Sequence, residues 1–559
     1  MKIKPVFLPL YILLLSPFLV FAQQEEEEVL GTEIDIAKPY QPKLNDAAKR
    51  SIQPKEDRAV FNPPDITYQT TGRRFDIMAA QTTLPAVSIG QTKLKELRPH
   101  YLKTGFGNYA DVFAEYGFNS NRSKENYYYV KGLHHSGRGP TAGEDDWNSN
   151  FNRQNLQAGF QKILNNFRLS SDFQYQRRSV HFYGYDREML ESDPDSNYQQ
   201  AFNDISLQVS LDNFLFDDSK IQFQAEGGIY YISDRYDHSE LGITFNAGAV
   251  EEVAEGELTF NVSYDYYVYE AFFSSLNRSI LGAGAIYEKE VNEQLTAEVG
   301  IKAFNAQDSS SSQFHLFPHL HATYLLDDYR LSLYGGLSGN LEVNTFRDFS
   351  YDNPFITNDL FLNNTVEKIQ LNAGAKGRLG NRWSYMMDLK FSTIENLALF
   401  VNDFSLPYQN RFGVLYDTGN VTRFRFATAV NYDLNERLQI NAQAAFLSYG
   451  MSSLPEAYHL PTFESQLSAF YQWNEKVGFR LGYLAQNARP FLAGINDEGR
   501  FMNETLDGFW DINAGIDYRF SSMFTAYIFS QNILGNGYEW WNRYEVRGFQ
   551  IRAGVKMSF

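Results

Sequence analysis

The stretch RGFQIRAGVKMSF (547–559) gives the clearest view of how this chain folds. Apolar side chains occupy every second position from Phe549 to Phe559, and polar or small side chains lie between them. Successive side chains of a β-strand point to opposite faces, so this stretch predicts a strand with one apolar face and one polar face. Residues 368–379 and 437–444 alternate in the same way. We therefore predict an all-β, antiparallel fold.

The connections between the predicted strands alternate between short turns and long loops. A soluble β-sandwich could share the strand pattern, but it has no reason to separate short from long connections, whereas a transmembrane barrel does. Ten turns join twenty strands, and a first and a last strand raise the count to about 22, unless GNYAD (107–111) is only a kink. The predicted short turns are 120–125, 164–167, 216–220, 252–257, 291–294, 326–329, 379–382, 434–437, 473–476 and 520–523. The predicted long loops are 138–152, 182–198, 346–367, 402–421, 491–508 and 533–545.

Residues 1–22 have the order of a secretory signal peptide: a basic start, an apolar run and a small residue at the end. We expect cleavage after Ala22. A retained membrane anchor is the alternative, but Pro9 and Pro17 interrupt the apolar run, which is at the short end for a membrane span. The sequence therefore predicts export.

The composition fits a barrel in an outer membrane. The chain has 46 Phe and 37 Tyr, yet its mean hydropathy of −0.41 is that of a polar chain. A transmembrane barrel combines both properties because only one face of each strand meets lipid. The absence of cysteine excludes disulfides, thiolate metal sites and a lipoprotein anchor, and the net charge of −18 does not favour nucleic acid as a partner.

These features predict a transmembrane up-and-down barrel over residues 99–559, in the cell outer membrane, with both termini in the periplasm. The apolar face of each strand would meet outer-membrane lipid. The terminal aromatic residue Phe559 is the signal that we expect the barrel-assembly machinery to read. Deletion of Phe559, or Val555→Asp on the lipid face, should impair assembly far more than Lys556→Asp in a wet lumen.

Residues 23–98 differ from the rest of the chain. They are rich in proline, begin with the acidic run Glu25–Glu28 and lack a sustained strand or helix period. We interpret them as an extended periplasmic arm with one short helix near Asn45–Arg50. We expect residues near 60–98 to enter the lumen and the acidic run to remain free; long loops folded in from above are the alternative. The arm also offers a segment for envelope protein partners.

Three segments resemble TonB-dependent receptors: the last hairpin (532–559), the opening strands (101–120) and AKPYQPKLND (37–46). The last two are similar to a branch without a plug. The resemblance covers roughly residues 37–559 and implies a 22-strand barrel. Receptors of this family that transport actively carry a folded plug ahead of the barrel, and only the proline-rich arm stands there in this chain. TonB-driven import is therefore not implied.

The sequence offers few candidates for chemistry. His315, His319 and His321 share one strand face and could bind a transition metal there, although lumen-facing histidines are more often ordinary polar residues. Asp193 begins a calcium-loop spacing that ends at Asp204, but the required glycine is missing, so a solvated acidic loop is the better interpretation. No catalytic motif with usable spacing is present. We predict no enzyme activity and no cofactor.

Two functions follow from this sequence. The first is a pore or transporter-like channel for polar solutes, narrowed by the loops or the arm. The alternative is a non-transporting barrel subunit that acts as a scaffold in an outer-membrane protein complex.

Overall fold

The computed structural model describes residues 97–559 except 122, 143–148, 186–197, 214–220, 272–274, 309–310, 327–329, 358, 406–408 and 436. The predicted signal peptide, almost all of the predicted arm and its predicted helix lie outside the described residues. The barrel lies within a compact unit that spans Gln69–Phe559.

Twenty-two antiparallel strands form one closed sheet. Their bounds are β1 His100–Gly107, β2 Asp111–Asn119, β3 Asn126–Gly137, β4 Phe151–Leu164, β5 Phe167–His181, β6 Gln199–Asp212, β7 Ile221–Ser233, β8 Ser239–Val253, β9 Gly256–Glu270, β10 Ser275–Asn292, β11 Leu295–Asp308, β12 Ser312–Leu326, β13 Leu331–Glu342, β14 Thr365–Leu379, β15 Trp383–Asn402, β16 Phe412–Asn435, β17 Leu438–Gly450, β18 Phe463–Gln472, β19 Val477–Gln486, β22 Phe509–Arg519, β23 Phe524–Gln531 and β26 Gln550–Ser558. Two hairpins lie outside this sheet: β20 Arg489–Ile495 with β21 Phe501–Leu506, and β24 Glu539–Trp541 with β25 Tyr544–Glu545.

The first and last strands close the barrel. β1 pairs with β26 from Tyr101 opposite Ser558 to Gly107 opposite Arg552. His100 and Phe559 exchange two backbone hydrogen bonds of 3.0 Å. No strand edge of the main sheet is left open, which removes the template for pairing with other chains. The predicted all-β barrel of about 22 strands is confirmed.

The strands on either side of each predicted short turn are consecutive, and they meet at the same end of the barrel, which we call the turn end. Residues 216–220 and 327–329 of these turns lie outside the described residues. The opposite end, the loop end, carries the longest connections, 343–364 and 532–549, and also short ones such as 108–110 and 234–238. GNYAD joins β1 to β2 as a tight hairpin with Tyr109 and Ala110 at positive φ, so it is not a kink. The predicted loop 402–421 is wrong in its second half, because β16 begins at Phe412 and extends beyond the usual length of a wall strand.

The two faces of the wall follow the predicted alternation. Large apolar side chains point outward and are exposed, as shown by Val299 (57%) and Leu316 (56%). The residues between them face the lumen, where Phe317 is only 3% exposed. One short helix, α1 (Phe346–Asp352), lies in the connection from β13 to β14. Within the described ranges, no helix is long and apolar enough to cross a membrane.

Candidate functional site: the closed mouth of the barrel

The connection between β13 and β14, residues 343–364, is the principal feature of the loop end, and we call it the strap. Thr345 begins α1 in the strap: its hydroxyl accepts a hydrogen bond of 3.0 Å from the Asp348 amide, and it donates one of 2.6 Å to the Asp348 carboxylate. This Thr-x-x-Asp pattern satisfies the free amides that open a helix. The sequence predicted the strap only as a long loop.

Charged side chains of distant strands hold α1. The Arg178 guanidinium on β5 donates to the Ser350 carbonyl at 2.7 Å and to its hydroxyl at 2.9 Å. From the strap, Arg347 donates to the Asp204 carboxylate on β6 at 2.7 Å, and the Tyr351 hydroxyl donates to the same carboxylate at 2.9 Å. β6 lies seven places from β13 in the sheet and β5 lies eight. The strap therefore crosses the lumen instead of following the rim.

Glu240 on β8 holds the first turn of α1. Its carboxylate accepts hydrogen bonds from the Phe346 amide (2.9 Å), the Arg347 amide (3.2 Å) and the Tyr230 hydroxyl (2.8 Å). A carboxylate at this end of a helix meets unpaired amides and the positive end of the helix dipole. Further along, Arg278 on β10 donates to the Asn344 carbonyl at 2.7 Å.

An apolar cluster fills the space between the strap and the wall. Phe346 and Ile356 of the strap are almost fully buried, with exposures of 1% and 0%. They pack with side chains of nine strands of the wall, β6, β7, β9 to β14 and β16. Burying such side chains contributes roughly 1.5–3 kcal/mol each. The wall members of the cluster are Phe202, Tyr230, Ile232, Tyr267, Tyr269, Ile280, Ala306, Phe317, Leu341, Val366 and Tyr416.

The connection from β23 to β26, residues 532–549, interlocks with the strap, and we call it the terminal loop. The Tyr544 ring stacks on Phe355 of the strap with centroids 3.6 Å apart, and the Tyr544 hydroxyl donates to the Asn410 carbonyl. Trp541 packs against Phe412 and Phe400 with centroids 5.5 and 5.2 Å apart. Both loops thereby rest on the same aromatic cluster.

Two further loops support the terminal loop. Arg489 of the β20–β21 hairpin donates to the Glu539 carbonyl at 2.7 Å and to the Trp540 carbonyl at 3.0 Å. His459, between β17 and β18, packs against Trp541 with centroids 5.3 Å apart, and its Nδ1 lies 2.9 Å from the Phe400 carbonyl oxygen. Burial lowers the pKa of His459 to about 3, so this side chain is neutral. The mouth is thus closed by loops that contact one another.

The lumen wall below the mouth carries the three histidines of the sequence prediction. His319 and His321 both face Glu298 on β11, at 2.9 and 3.2 Å, and the His315 ring lies parallel to Phe317. The predicted shared face is therefore correct. No group of three or more metal-ligating side chains suited to an ion occurs among the residues that the structure describes. The interpretation of these histidines as ordinary polar residues stays a prediction.

The last strand places Arg552 and Lys556 toward the lumen, as predicted. Lys556 is only 8% exposed and forms an ion pair of 2.9 Å with the Asp517 carboxylate. Arg480 forms a second ion pair with the same carboxylate at 2.6 Å. Lys556 therefore lies in a buried group of ion pairs and not in a wet part of the lumen, and the expected ranking of Val555→Asp above Lys556→Asp stays a prediction. Lys556→Asp would place a second carboxylate beside a buried one.

Sequence analysis missed the residues that hold the strap. Asp204 was considered only as the end of a calcium-loop spacing, whose other members lie outside the described residues. In the structure it is a buried acceptor for Arg347 and Tyr351. The available signal was a charge on the lumen face of a strand near its loop end. That signal marks Arg178, Asp204 and Glu240, but it does not reveal their partners.

These features define a closed, 22-stranded barrel whose mouth is occupied by its own loops. No known family profile matches the sequence, and no curated protein sequence matches it. Solved structures of iron and siderophore receptors and transporters share the fold. The FrpB iron transporter of Neisseria meningitidis superposes with a TM-score of 0.65 at 9% identity, covering 83% of this chain and 82% of that one.

Two further receptors give similar values. The ferric-catecholate import receptor Fiu of Escherichia coli K12, in its closed form, has a TM-score of 0.63 at 10% identity, with coverage of 83% and 82%. The siderophore receptor PiuA of Acinetobacter baumannii has a TM-score of 0.59 at 10% identity, with coverage of 84% and 82%. At these identities the likeness establishes the barrel fold.

Proposed function

We propose that this chain is an outer-membrane, transporter-like channel for polar solutes, of the TonB-dependent-receptor type but without a folded plug, in which the strap is the gate. The observation that carries this proposal is the path of the strap across the lumen, fixed by Arg178 on β5 and Asp204 on β6. A loop that is held across the lumen by wall residues stands where it can control the passage of solutes. The similar fold of iron and siderophore receptors supports transport as the class of function.

The proposed orientation follows from the two ends of the barrel. Short turns face the periplasm in outer-membrane barrels and long loops face outward. The first residue of β1, His100, and the last residue of the chain, Phe559, meet at the turn end. Both termini are then periplasmic, the arm lies on the inner side and the strap closes the outer side. The barrel-assembly machinery would meet Phe559 during biogenesis, and the arm would meet envelope proteins.

The second candidate is a non-transporting scaffold barrel. The interlock between the strap and the terminal loop favours it, because Phe355 and Tyr544 are 9% and 1% exposed and stack closely. Opening the mouth would separate both loops from a shared apolar cluster. A permanently closed barrel could still present its wall, its loops or the arm to other envelope proteins.

A reversible lock on the strap distinguishes the two candidates. The chain has no cysteine, so the double variant Phe355→Cys/Tyr544→Cys places its only two thiols where the strap meets the terminal loop, and thiol titration shows whether they have formed a disulfide. Each single variant is a matched control. In liposomes, we expect the double variant to take up small polar solutes only after reduction, and the single variants to ignore the redox state. Uptake in neither state, for any variant, would favour the scaffold.

The arm requires its own control because it could obstruct the turn end. Each lock variant is therefore compared with and without residues 23–96. If arm deletion alone releases uptake, the arm is the gate and the strap is not. If only the combination of arm deletion and reduction releases uptake, both ends close the lumen.

A further inference from the structure

A patch of basic side chains lies on the lumen wall where the barrel closes. Lys103 on β1 and Lys556 on β26 are direct cross-strand neighbours and both face the lumen. Both ammonium groups lie 5.4 Å from the centre of the same ring, Tyr527 on β23. Arg480 on β19 belongs to the same patch, because Arg480 and Lys556 both form ion pairs with Asp517. Two like charges directly opposite each other on antiparallel strands destabilise the pairing.

The carboxylates near this patch do not balance it. Asp517 is shared by Lys556 and Arg480, at 2.9 and 2.6 Å. Lys103 has no carboxylate within 4.0 Å in the described part of the chain; Glu115, its cross-strand neighbour on β2, forms no ion pair with it. Three cations therefore face one bonded carboxylate and one more distant one. The excess is positive, in a chain whose net charge is −18.

A neighbouring ion pair does not neutralise this excess positive charge. Arg552 binds Asp111 through two nitrogens at 2.6 and 2.9 Å, and His135 lies 2.9 Å from the same carboxylate. That group is balanced by itself. The patch of Lys103, Arg480 and Lys556 is the part of the seam in which cations outnumber carboxylates.

Buried polar atoms without partners point to the same place. The Tyr527 side chain is 3% exposed, and its hydroxyl has no hydrogen-bond partner among the described residues. The Arg480 Nε and the second oxygen of Asp517 are also buried without a partner there. The Tyr527 ring lies across Gly554 and reaches Gly105, where a Cβ would collide with it. The Tyr527 hydroxyl and the Arg480 Nε are thus unsatisfied donors in the same group of side chains as the two ammonium groups, and the free Asp517 oxygen is an unsatisfied acceptor there. Unsatisfied buried polar groups cost free energy.

We propose that Lys103, Lys556, Arg480 and Tyr527 form a binding site for an oxyanion, a phosphate or carboxylate group, on the lumen wall. Bound oxygens would accept hydrogen bonds from the ammonium groups, and charge-assisted bonds of this kind are the strong ones. The role of the site in selecting anionic solutes rests on the proposed function, whereas oxyanion binding itself does not. A failure of transport would therefore leave the binding result intact, and the reverse also holds.

The test is calorimetric titration of the full chain in detergent with inorganic phosphate, and separately with acetate, against chloride at equal ionic strength. Lys103→Gln should weaken phosphate binding about tenfold, as expected for the loss of one bond to a charged group. Lys376→Gln is the matched control, because Lys376 faces the lumen over a single ring, Tyr334, away from the seam. Heat-modifiable migration on gels confirms that each variant is folded.

A second variant moves binding in the opposite direction. Glu115→Gln removes the negative charge opposite Lys103 without changing a cation, so phosphate binding should tighten. If Lys103→Gln fails to fold, Glu115→Gln alone decides the question. The proposal is overturned if phosphate binds no better than chloride, if Lys103→Gln and Lys376→Gln weaken binding equally, or if Glu115→Gln leaves it unchanged. Preference for phosphate over acetate, or the reverse, identifies the oxyanion.

Discussion

Lys556 in the wall and Arg347 in the mouth are both cations paired with a buried carboxylate. The two pairs differ in how many strands of the sheet separate the cation from its partner. Asp517 is on β22, two places from the strand of Lys556. Asp204 is on β6, seven places from β13, the strand that leads into the strap of Arg347. The wall is thus stabilised by neighbours in the sheet, and the mouth by contacts across the lumen. The wall can form strand by strand, whereas the mouth requires the whole barrel.

The largest expected effect tests the two faces of the wall. Ala444→Lys on β17 places a charge on the outer face, whereas Gln443→Lys places the same charge on the lumen face one residue away. A lysine facing lipid near the midplane costs about 2–4 kcal/mol. We expect Ala444→Lys to reduce the folded, heat-modifiable form strongly and Gln443→Lys to leave it near wild type. Equal losses would contradict the assignment of faces.

The next largest effect compares two phenylalanines of the strap. Phe355 is buried against Tyr544, whereas Phe361 is 69% exposed. Phe355→Ala should lower the free energy of strap opening by about 3 kcal/mol through lost burial and a cavity. Phe361→Ala should change it by less than about 0.5 kcal/mol. Hydrogen exchange of the strap amides measures both, and similar exchange in the two variants would show that the interlock is unimportant.

A smaller effect compares a buried ion pair with an exposed one. A double-mutant cycle with Arg347→Met and Asp204→Asn should give a coupling energy of about 1–3 kcal/mol in strap opening. The same cycle on Arg500 and Glu498, whose side chains are 78% and 67% exposed at 3.3 Å, should give less than about 0.5 kcal/mol in hairpin opening. A coupling near zero for Arg347 and Asp204 would mean that the strap does not depend on this pair.

The smallest effect is a dependence of the mouth on pH. The pKa of His459 is lowered by burial from its usual 6.5 to about 3. Between these values the opened state binds a proton that the closed state excludes, so closure weakens as the pH falls below about 6.5. His459→Asn removes the titration and tolerates the positive φ of 59° at this position. Hydrogen exchange of residues 451–462 at pH 7 and pH 5 should differ in the wild type and not in this variant.

The sequence was sufficient to predict the strands of the wall, because the signals for strands and short turns lie in neighbouring residues. The alternation around Val555 and the turns near Asn165 and Asn474 depend on neighbouring residues alone, and they predicted the strands, their faces and their number. The mouth was not predictable in this way. Nothing near Arg178 in the sequence indicates Ser350, 172 positions later, as its partner. The strap was therefore predicted only as a loop that could fold inward. The start of β16 was predicted after residue 421, whereas the strand begins at Phe412.

Single-channel conductance of a shortened strap tests the central claim most directly. Residues 346–362 are replaced by a short Gly-Ser linker, in the full chain and in a chain without residues 23–96, and each is compared with its unshortened parent in planar bilayers. The account predicts that both unshortened forms are closed at the mouth, and that the shortened strap gives large, stable conductance at least in the chain without the arm. Equal conductance with intact and shortened straps in that chain would contradict the account.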